Sequence, residues 1–157
     1  MPLNNKKLIT RFYYSFANGK VESMQDCYAD DVVFKDPVFG ELKGNRAKKM
    51  WEMLLDRNKD ITIFVSDIFV GNNSGTAKWK ADYTFGKKKR KVTNKIIANF
   101  ELKDNKISKH TDEFNFYKWA KQAFGIKGLL LGWTKWFQKK VQKEVNKLLD
   151  DYIVKSK

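Results

Sequence analysis

The spacing of apolar residues along this chain changes at residue 61 from the period of a helix to a period of two residues. This change restricts the folds that the chain can form. Before residue 61, apolar residues recur at helical spacing over residues 5–17 and again after Gly44. After it, four segments alternate apolar and polar residues and are separated by short turns at residues 71–75 and 104–105 and by the basic run at residues 87–91. Strands joined by short turns pair antiparallel, so helices followed by a four-stranded meander indicate an α+β fold.

Length and composition exclude several classes of protein. The 157 residues match one domain, and 42% hydrophobic residues with 15% aromatic residues can fill a core. Cys27 and His110 are the only residues of their types, which excludes a disulfide and a structural zinc site. We therefore expect no metal and no cofactor. The chain has no apolar stretch long enough to span a membrane, and its first residues lack the apolar region of a signal peptide, which predicts a cytoplasmic protein.

The positive charge is concentrated in two segments. The chain has 32 Lys and Arg against 18 Asp and Glu, a net charge of +14. The run Lys87–Lys91 is entirely basic, and residues 118–157 hold ten Lys against three acidic residues. The rest of the chain is nearly neutral. The basic run fits a solvated hairpin tip, a contact with an anion, or a nuclear-import signal.

The C-terminal segment has the pattern of an amphipathic helix. Apolar residues follow steps of three and four, with most of the lysines off the stripe. Such a helix can pack on its own domain, pair with a second subunit, or lie on anionic lipid. The stripe consists of Trp133, Phe137, Val141, Val145, Leu148 and Tyr152.

The last strand carries a candidate acid/base pair. His110 and Asp112 are two residues apart, so they share a strand face, about 6–7 Å from each other, and we expect Phe114 and Phe116 on that face too. Burial in an apolar cavity raises the pKa of a carboxylate and makes it a usable base near neutral pH. Alternatively, His110 and Asp112 satisfy each other's hydrogen bonds, and Asp36 closes a turn before Pro37.

Two segments resemble a known superfamily. Residues 28–40, Tyr-Ala-Asp-Asp-Val-Val-Phe-Lys-Asp-Pro-Val-Phe-Gly, are similar to the segment of ketosteroid isomerases that carries the proton-shuttling base, and this resemblance places Asp36 there. Residues 106–114 resemble the closing strand of SnoaL-like polyketide cyclases, where Asp112 and His110 would serve as acid/base. Over residues 5–117 the chain thus resembles the nuclear transport factor 2-like superfamily. The resemblance implies a cystatin-like cone, in which N-terminal helices pack in a curved antiparallel sheet around one apolar cavity.

The chain also departs from the ketosteroid isomerases. In those enzymes a Tyr and a protonated Asp stabilise the enolate. Those positions fall on Phe12 and Ala98 here, and neither side chain can donate a hydrogen bond. True ketosteroid isomerase activity is therefore not expected. If the protein is an enzyme, the resemblance favours a cofactor-independent isomerase, cyclase or lyase.

These observations give one leading hypothesis and one alternative. The first is a SnoaL-like domain over residues 1–117, with a helical extension over 118–157, that binds or converts a small hydrophobic carbonyl compound. The alternative is a non-catalytic binding or interaction protein whose basic tail contacts anionic membrane or nucleic acid. A homodimer is expected, with Phe64 and Ile97 as candidate contacts. Besides Asp36, His110 and Asp112, the predicted site is lined by Phe12, Trp51, Trp79, Tyr83, Ala98 and Phe114.

Overall fold

The structure, a computed structural model, describes residues 2–157. Three helices and a hairpin of two strands come first, four longer strands follow, and three helices end the chain. The helices are α1 (Pro2–Ala17), α2 (Val21–Asp26), α3 (Asn45–Arg57), α4 (Phe116–Phe124), α5 (Ile126–Leu131) and α6 (Lys135–Lys155). The strands are β1 (Tyr28–Asp36), β2 (Gly40–Lys43), β3 (Thr62–Val70), β4 (Ser74–Phe85), β5 (Arg90–Lys103) and β6 (Lys106–Glu113).

The six strands form one curved, unclosed sheet in the order β2-β1-β6-β5-β4-β3. The predicted meander is confirmed, because β3 to β6 pair antiparallel in sequence order. The sequence did not predict β2, nor the parallel pairing of β1 with β6 that joins the first strands to the meander. Asp67 has a positive φ of 51° where the register of β3 against β4 shifts, so a bulge interrupts this edge strand.

Helices α1 and α3 fill the concave face of the sheet. Phe12 on α1 is fully buried and contacts the rings of Tyr28, Trp51 and Phe100. Trp51 on α3 is buried as predicted. The α+β cone with N-terminal helices inside a curved sheet is therefore confirmed, and the inward face of each late strand is the face that the alternation of apolar residues indicated.

The predicted end of the last strand is wrong. Phe116 is not on that strand: β6 ends at Glu113, and Phe116 begins α4, where Asn115 caps the helix by accepting a hydrogen bond from the Lys118 amide. The segment after Gly125 forms the short helix α5.

The buried stripe of α6 also differs from the predicted one. Thr134 caps the helix by accepting a hydrogen bond from the Phe137 amide, so Trp133 precedes the helix and is exposed. Leu148 is largely exposed as well, and Leu149 is buried in its place. The inward residues are Phe137, Val141, Val145 and Leu149, at steps of four.

The C-terminal helix packs across the first strands and α3. Gln138 and Gln142 both donate to the carbonyl oxygen of Pro37, and Asn146 donates to that of Phe39. The Arg46 guanidinium on α3 donates to the side chain of Asn146 at 2.8 Å. These contacts place α6 over the turn that follows β1. None of the helices within residues 2–157 is both long and apolar enough to cross a bilayer.

Candidate functional site

Asp36 ends β1 and organises the turn that follows. Its Oδ1 accepts hydrogen bonds from the backbone amides of Val38 at 2.9 Å and Phe39 at 2.6 Å. The sequence had left this turn-closing role open beside the catalytic one, and the structure shows it. Both bonds use Oδ1, so Oδ2 takes no part in the turn.

The environment of Asp36 suits proton exchange near neutral pH. Burial of the carboxyl, with a smaller contribution from the nearby Asp112 carboxylate, raises its pKa to about 7, although the hydrogen bonds from the amides of Phe39 and Val38 act in the opposite direction. A group with a pKa near the working pH is suited to accept and return a proton. Asp36 therefore combines a structural role in the turn with a pKa close to neutral pH.

His110 lies at the centre of a buried hydrogen-bonded chain. Its Nδ1 is 2.7 Å from the Tyr28 hydroxyl oxygen, and its Nε2 is 2.8 Å from Asp112 Oδ1. Trp51 Nε1 donates to the Tyr28 oxygen at 2.8 Å, and Trp79 Nε1 donates to Asp112 Oδ1 at 3.3 Å. Tyr28 accepts from Trp51, so its own proton is free to bond to Nδ1 of His110, and in that tautomer Nε2 of His110 donates to Asp112 Oδ1.

The fold brings Asp36 and Asp112 to neighbouring positions on the sheet. Phe34 on β1 pairs with His110 on β6 in parallel register, and the two aspartates each lie two residues further along. They therefore share the inward face of adjacent strands. Ala98 on β5 pairs with Asp112 on the other side, so a small side chain flanks the acid there.

The predicted lining residues divide into two groups. Phe12 and Trp51 belong to the packed interior: Phe12 stacks on Tyr28 at 5.3 Å between ring centroids, and Trp51 stacks on His110 at 6.0 Å. Ala98 is buried with them. Tyr83 and Phe114 are only partly buried, and Trp79 keeps a small exposed area. Trp79 joins the two groups, because it contacts the rings of Phe16 and Trp51 and also donates a hydrogen bond to Asp112.

Tyr83 is a hydrogen-bond donor near Asp36. Trp119 Nε1 donates to the Tyr83 oxygen at 2.8 Å, so the phenol proton remains available for another acceptor. Burial raises the pKa of Tyr83 to about 12, with a smaller contribution from the Asp36 charge, and the phenol stays protonated at neutral pH. Trp119 lies on α4, so the helical extension contributes directly to this region.

The sequence interpretation missed three residues of the site. Tyr28 and Trp119 were overlooked because their partners, His110 and Tyr83, are remote in sequence. Tyr13 is the third, and its hydroxyl is buried without a hydrogen-bond partner within residues 2–157. Burial and the Asp112 charge both raise its pKa. An unpaired phenol next to a carboxylate provides a further donor for a bound molecule.

Asp36, His110 and Asp112 belong neither to a candidate metal site nor to the two surface grooves described below. Among residues 2–157 no three His, Cys, Asp or Glu side chains are grouped so that they could hold a metal ion. Two surface grooves of about 390 and 400 Å³ lie on the outer face of β5 and β6 and along α1, and neither is lined by Asp36, His110 or Asp112.

Comparison with solved structures shows the same fold. TerC co-crystallised with polyporic acid is 13% identical, covers 76% of this chain and 98% of its own, and has a TM-score of 0.67. An NTF2-like protein of unknown function from Burkholderia pseudomallei is 12% identical, with coverages of 78% and 98% and a TM-score of 0.68. An LEH-like epoxide hydrolase from M. tuberculosis is 20% identical, with coverages of 83% and 92% and a TM-score of 0.61. At these identities the likeness shows the fold alone.

The sequence comparison assigns the family. No curated protein matches the chain. Residues 9–110 match the family described as the SnoaL-like domain, and this match spans more than half of the chain, including β1, the meander up to His110 and both helices of the concave face. The resemblance to the nuclear transport factor 2-like superfamily is thereby confirmed, and the chain belongs to the SnoaL-like domain family.

Proposed function

We propose that this protein binds a small hydrophobic carbonyl compound beside Asp36 and Asp112 and moves a proton on the carbon next to the carbonyl group. The observation that supports this most is the placement of the two carboxylates on the same inward face of β1 and β6. Asp36 is then the group that accepts the proton, since burial brings its pKa to about 7. The co-crystal of TerC, a protein of the same fold, with polyporic acid supports a small-molecule site in this fold.

The proposed step is a proton transfer that is balanced without a cofactor. The Asp36 carboxylate takes a proton from the carbon next to the carbonyl, and the electron pair moves onto the carbonyl oxygen as an enolate. Tyr83, whose phenol proton is not used by Trp119, donates a hydrogen bond to that oxygen. Asp36 then returns the proton to the same or a conjugated carbon. His110 holds Asp112 in place, which makes His110 a positioning residue.

Exchange of hydrogen for deuterium tests the proposal directly. The flat, polarity-sensitive ketone Prodan is the probe, because it reports binding by fluorescence and carries exchangeable protons next to its carbonyl. We expect a blue-shifted emission on binding and accelerated deuterium incorporation in D₂O. Asp36→Asn should bind Prodan and lose at least about 100-fold of the exchange rate, as expected for removal of a general base.

The matched control is Asp31→Asn, an exposed aspartate on the same strand, which should exchange like the wild type. Binding without exchange would overturn the catalytic part of the proposal and leave a ligand-binding protein. Absence of binding for Prodan and a panel of steroid and quinone ketones would overturn the site itself.

We also propose that the protein forms a homodimer through the outer face of its sheet. Phe64 on β3 and Ile97 on β5 are 66% and 49% exposed on that face. An apolar patch exposed on one face of a sheet marks a candidate protein–protein contact, and these two side chains would be its members.

A further inference from the structure

Five large apolar side chains form an exposed ridge at the start of the C-terminal extension. They lie on α5, in the turn after it and at the beginning of α6, within residues 126–136, and each is between 51% and 76% exposed. An exposed cluster of this kind on a folded protein marks a contact surface. The ridge consists of Ile126, Leu129, Leu130, Trp133 and Trp136.

The packing of α5 turns these side chains outward. An ordinary surface helix buries its large apolar residues and exposes polar ones. Helix α5 instead places Gly128 against α4, so closely that a Cβ atom there would lie 2.0 Å from the carbonyl oxygen of Ala120. With the glycine side buried, Leu129 and Leu130 point away from the protein.

Hydrogen bonds hold the ridge in this conformation. The Tyr117 hydroxyl donates to the Leu129 carbonyl oxygen at 2.9 Å, and Trp133 Nε1 donates to that of Leu130 at 3.1 Å. The exposed apolar surface is therefore built into the fold and is not a frayed end.

Basic side chains surround the ridge. Residues 114–143 contain seven Lys and no acidic residue. Lys127, Lys135 and Lys139 are exposed, and the Lys140 ammonium lies 5.3 Å from the centre of the Trp136 ring.

The basic run Lys87–Lys91 at the β4–β5 tip adjoins the same surface. The Arg90 side chain donates to the Gln122 carbonyl oxygen at 2.8 Å, and its guanidinium lies against Gly125, immediately before α5. Two segments that are remote in sequence thus supply positive charge to one face of the molecule.

We propose that the ridge and its basic border dock the protein on an anionic membrane surface. Trp and Leu side chains enter the region between headgroups and acyl chains, with Trp favoured at that interface, while lysines pair with anionic lipid. A nucleic acid would pair its phosphates with the lysines, but it offers no apolar surface for the five clustered apolar side chains. Because no helix of residues 2–157 can cross a bilayer, the contact is peripheral. The inference is independent of the proposed proton transfer.

Vesicle sedimentation with the full chain tests the proposal. Vesicles of phosphatidylcholine alone are compared with vesicles containing 30% phosphatidylserine, at about 0.1 M salt. We expect at least about tenfold stronger binding to the anionic vesicles, a decrease at 0.5 M salt through screening, and a blue shift of tryptophan emission on binding.

Variants separate the two components of the contact. The double variant Leu130→Gln/Trp133→Gln and the triple variant Lys87→Gln/Lys88→Gln/Lys89→Gln should each weaken binding at least about tenfold. Thermal unfolding is compared with the wild type, because Trp133→Gln also removes the hydrogen bond to the Leu130 carbonyl oxygen. Phe69→Gln is the matched apolar control, since Phe69 is 68% exposed on β3. Lys6→Gln/Lys7→Gln is the charge control on α1.

Four results would overturn the proposal. The first is a lack of binding to anionic vesicles, and the second is equal binding by the Leu130/Trp133 variant and the wild type. The third is binding to duplex DNA that depends on Lys87–Lys89 while vesicles are ignored, which would assign the basic surface to nucleic acid. The fourth is a dimer that dissociates in the Leu130/Trp133 variant, which would make the ridge a contact between copies of this chain.

Discussion

Asp36 and Asp112 lie at matched positions on the parallel strands β1 and β6, each two residues beyond the paired Phe34 and His110. Their surroundings differ. Asp112 accepts hydrogen bonds from the side chains of His110 and Trp79, whereas the turn amides are the donors to Asp36. The Asp112 charge contributes to the raised pKa of Asp36, so the fold prepares one carboxyl of the pair to exchange its proton near neutral pH.

The first prediction concerns the pH dependence of stability. An aspartate in an unfolded chain titrates near pH 4, and Asp36 in the folded protein titrates at about 7. Between these values the folded state keeps a proton that the unfolded state has released. The contribution of Asp36 is therefore fully present below about pH 4, declines by up to about 1.4 kcal/mol per pH unit, and is lost above about pH 7.

The variant Asp36→Asn isolates this contribution, because its amide oxygen can still accept from the Val38 and Phe39 amides. We expect the free energy of unfolding, measured by urea titration, to fall in the wild type relative to Asp36→Asn from pH 4.5 to 7. A difference that is constant over this range would show that the Asp36 pKa is not raised.

The second prediction uses three tyrosines with contrasting surroundings. Tyr28→Phe removes a hydroxyl that serves both Trp51 and His110, and it should cost about 2–3 kcal/mol because two buried polar groups lose a partner. Tyr13→Phe removes a buried hydroxyl without a partner, so stability should stay unchanged or rise by about 1 kcal/mol. Tyr14→Phe, on the exposed side of α1, should have an effect within about 0.5 kcal/mol.

Chemical denaturation of the three variants gives the comparison. Equal losses for Tyr28→Phe and Tyr14→Phe would contradict the buried network. A large loss for Tyr13→Phe would show that its hydroxyl has a partner, such as a bound water.

The inward face of the meander was predictable because its signal is local. Trp79, Ala98 and Phe100 alternate with polar neighbours, and period two fixes which side of a strand each residue occupies. The position of His110 and Asp112 on one face follows from the same rule. Their mutual hydrogen bond, which the sequence offered as one of two alternatives, is present.

The missed features depend on contacts between remote segments. The parallel pairing of β1 with β6 places Asp36 beside Asp112, and no local pattern encodes a pairing across more than 70 residues. The predicted stripe of α6 was wrong at Trp133 and Leu148 because steps of three and four fit several helical faces, and the Thr134 cap decides where the helix starts. The catalytic role of Asp36, His110 and Asp112 stays a prediction.

The third prediction addresses self-association. Phe64→Lys should shift the proposed homodimer to a monomer in light scattering at tens of micromolar, because it places a charge in the proposed contact on the outer face of the sheet. Leu3→Lys, on an exposed position of α1, is the control and should leave the mass unchanged. A monomeric wild type at that concentration would contradict the dimer.

The fourth prediction tests whether the C-terminal extension folds together with the cone. Phe137 on α6 is 2% exposed and contacts the rings of Phe116 and Phe124 on α4. Its neighbour Trp136 belongs to the exposed ridge. Phe137→Ala should therefore cost about 3–5 kcal/mol, as expected for removal of a buried ring, and Trp136→Ala less than about 0.5 kcal/mol.

Tryptophan fluorescence checks this prediction, because unfolding exposes buried indoles such as that of Trp119, which donates a hydrogen bond to Tyr83. If the extension and the cone unfold as one unit, tryptophan fluorescence and far-ultraviolet circular dichroism should give a single, coincident transition in urea, shifted to lower concentration in Phe137→Ala. Two separate transitions, of which Phe137→Ala moves only the first, would show that residues 118–157 fold as an independent unit on an already folded SnoaL-like domain.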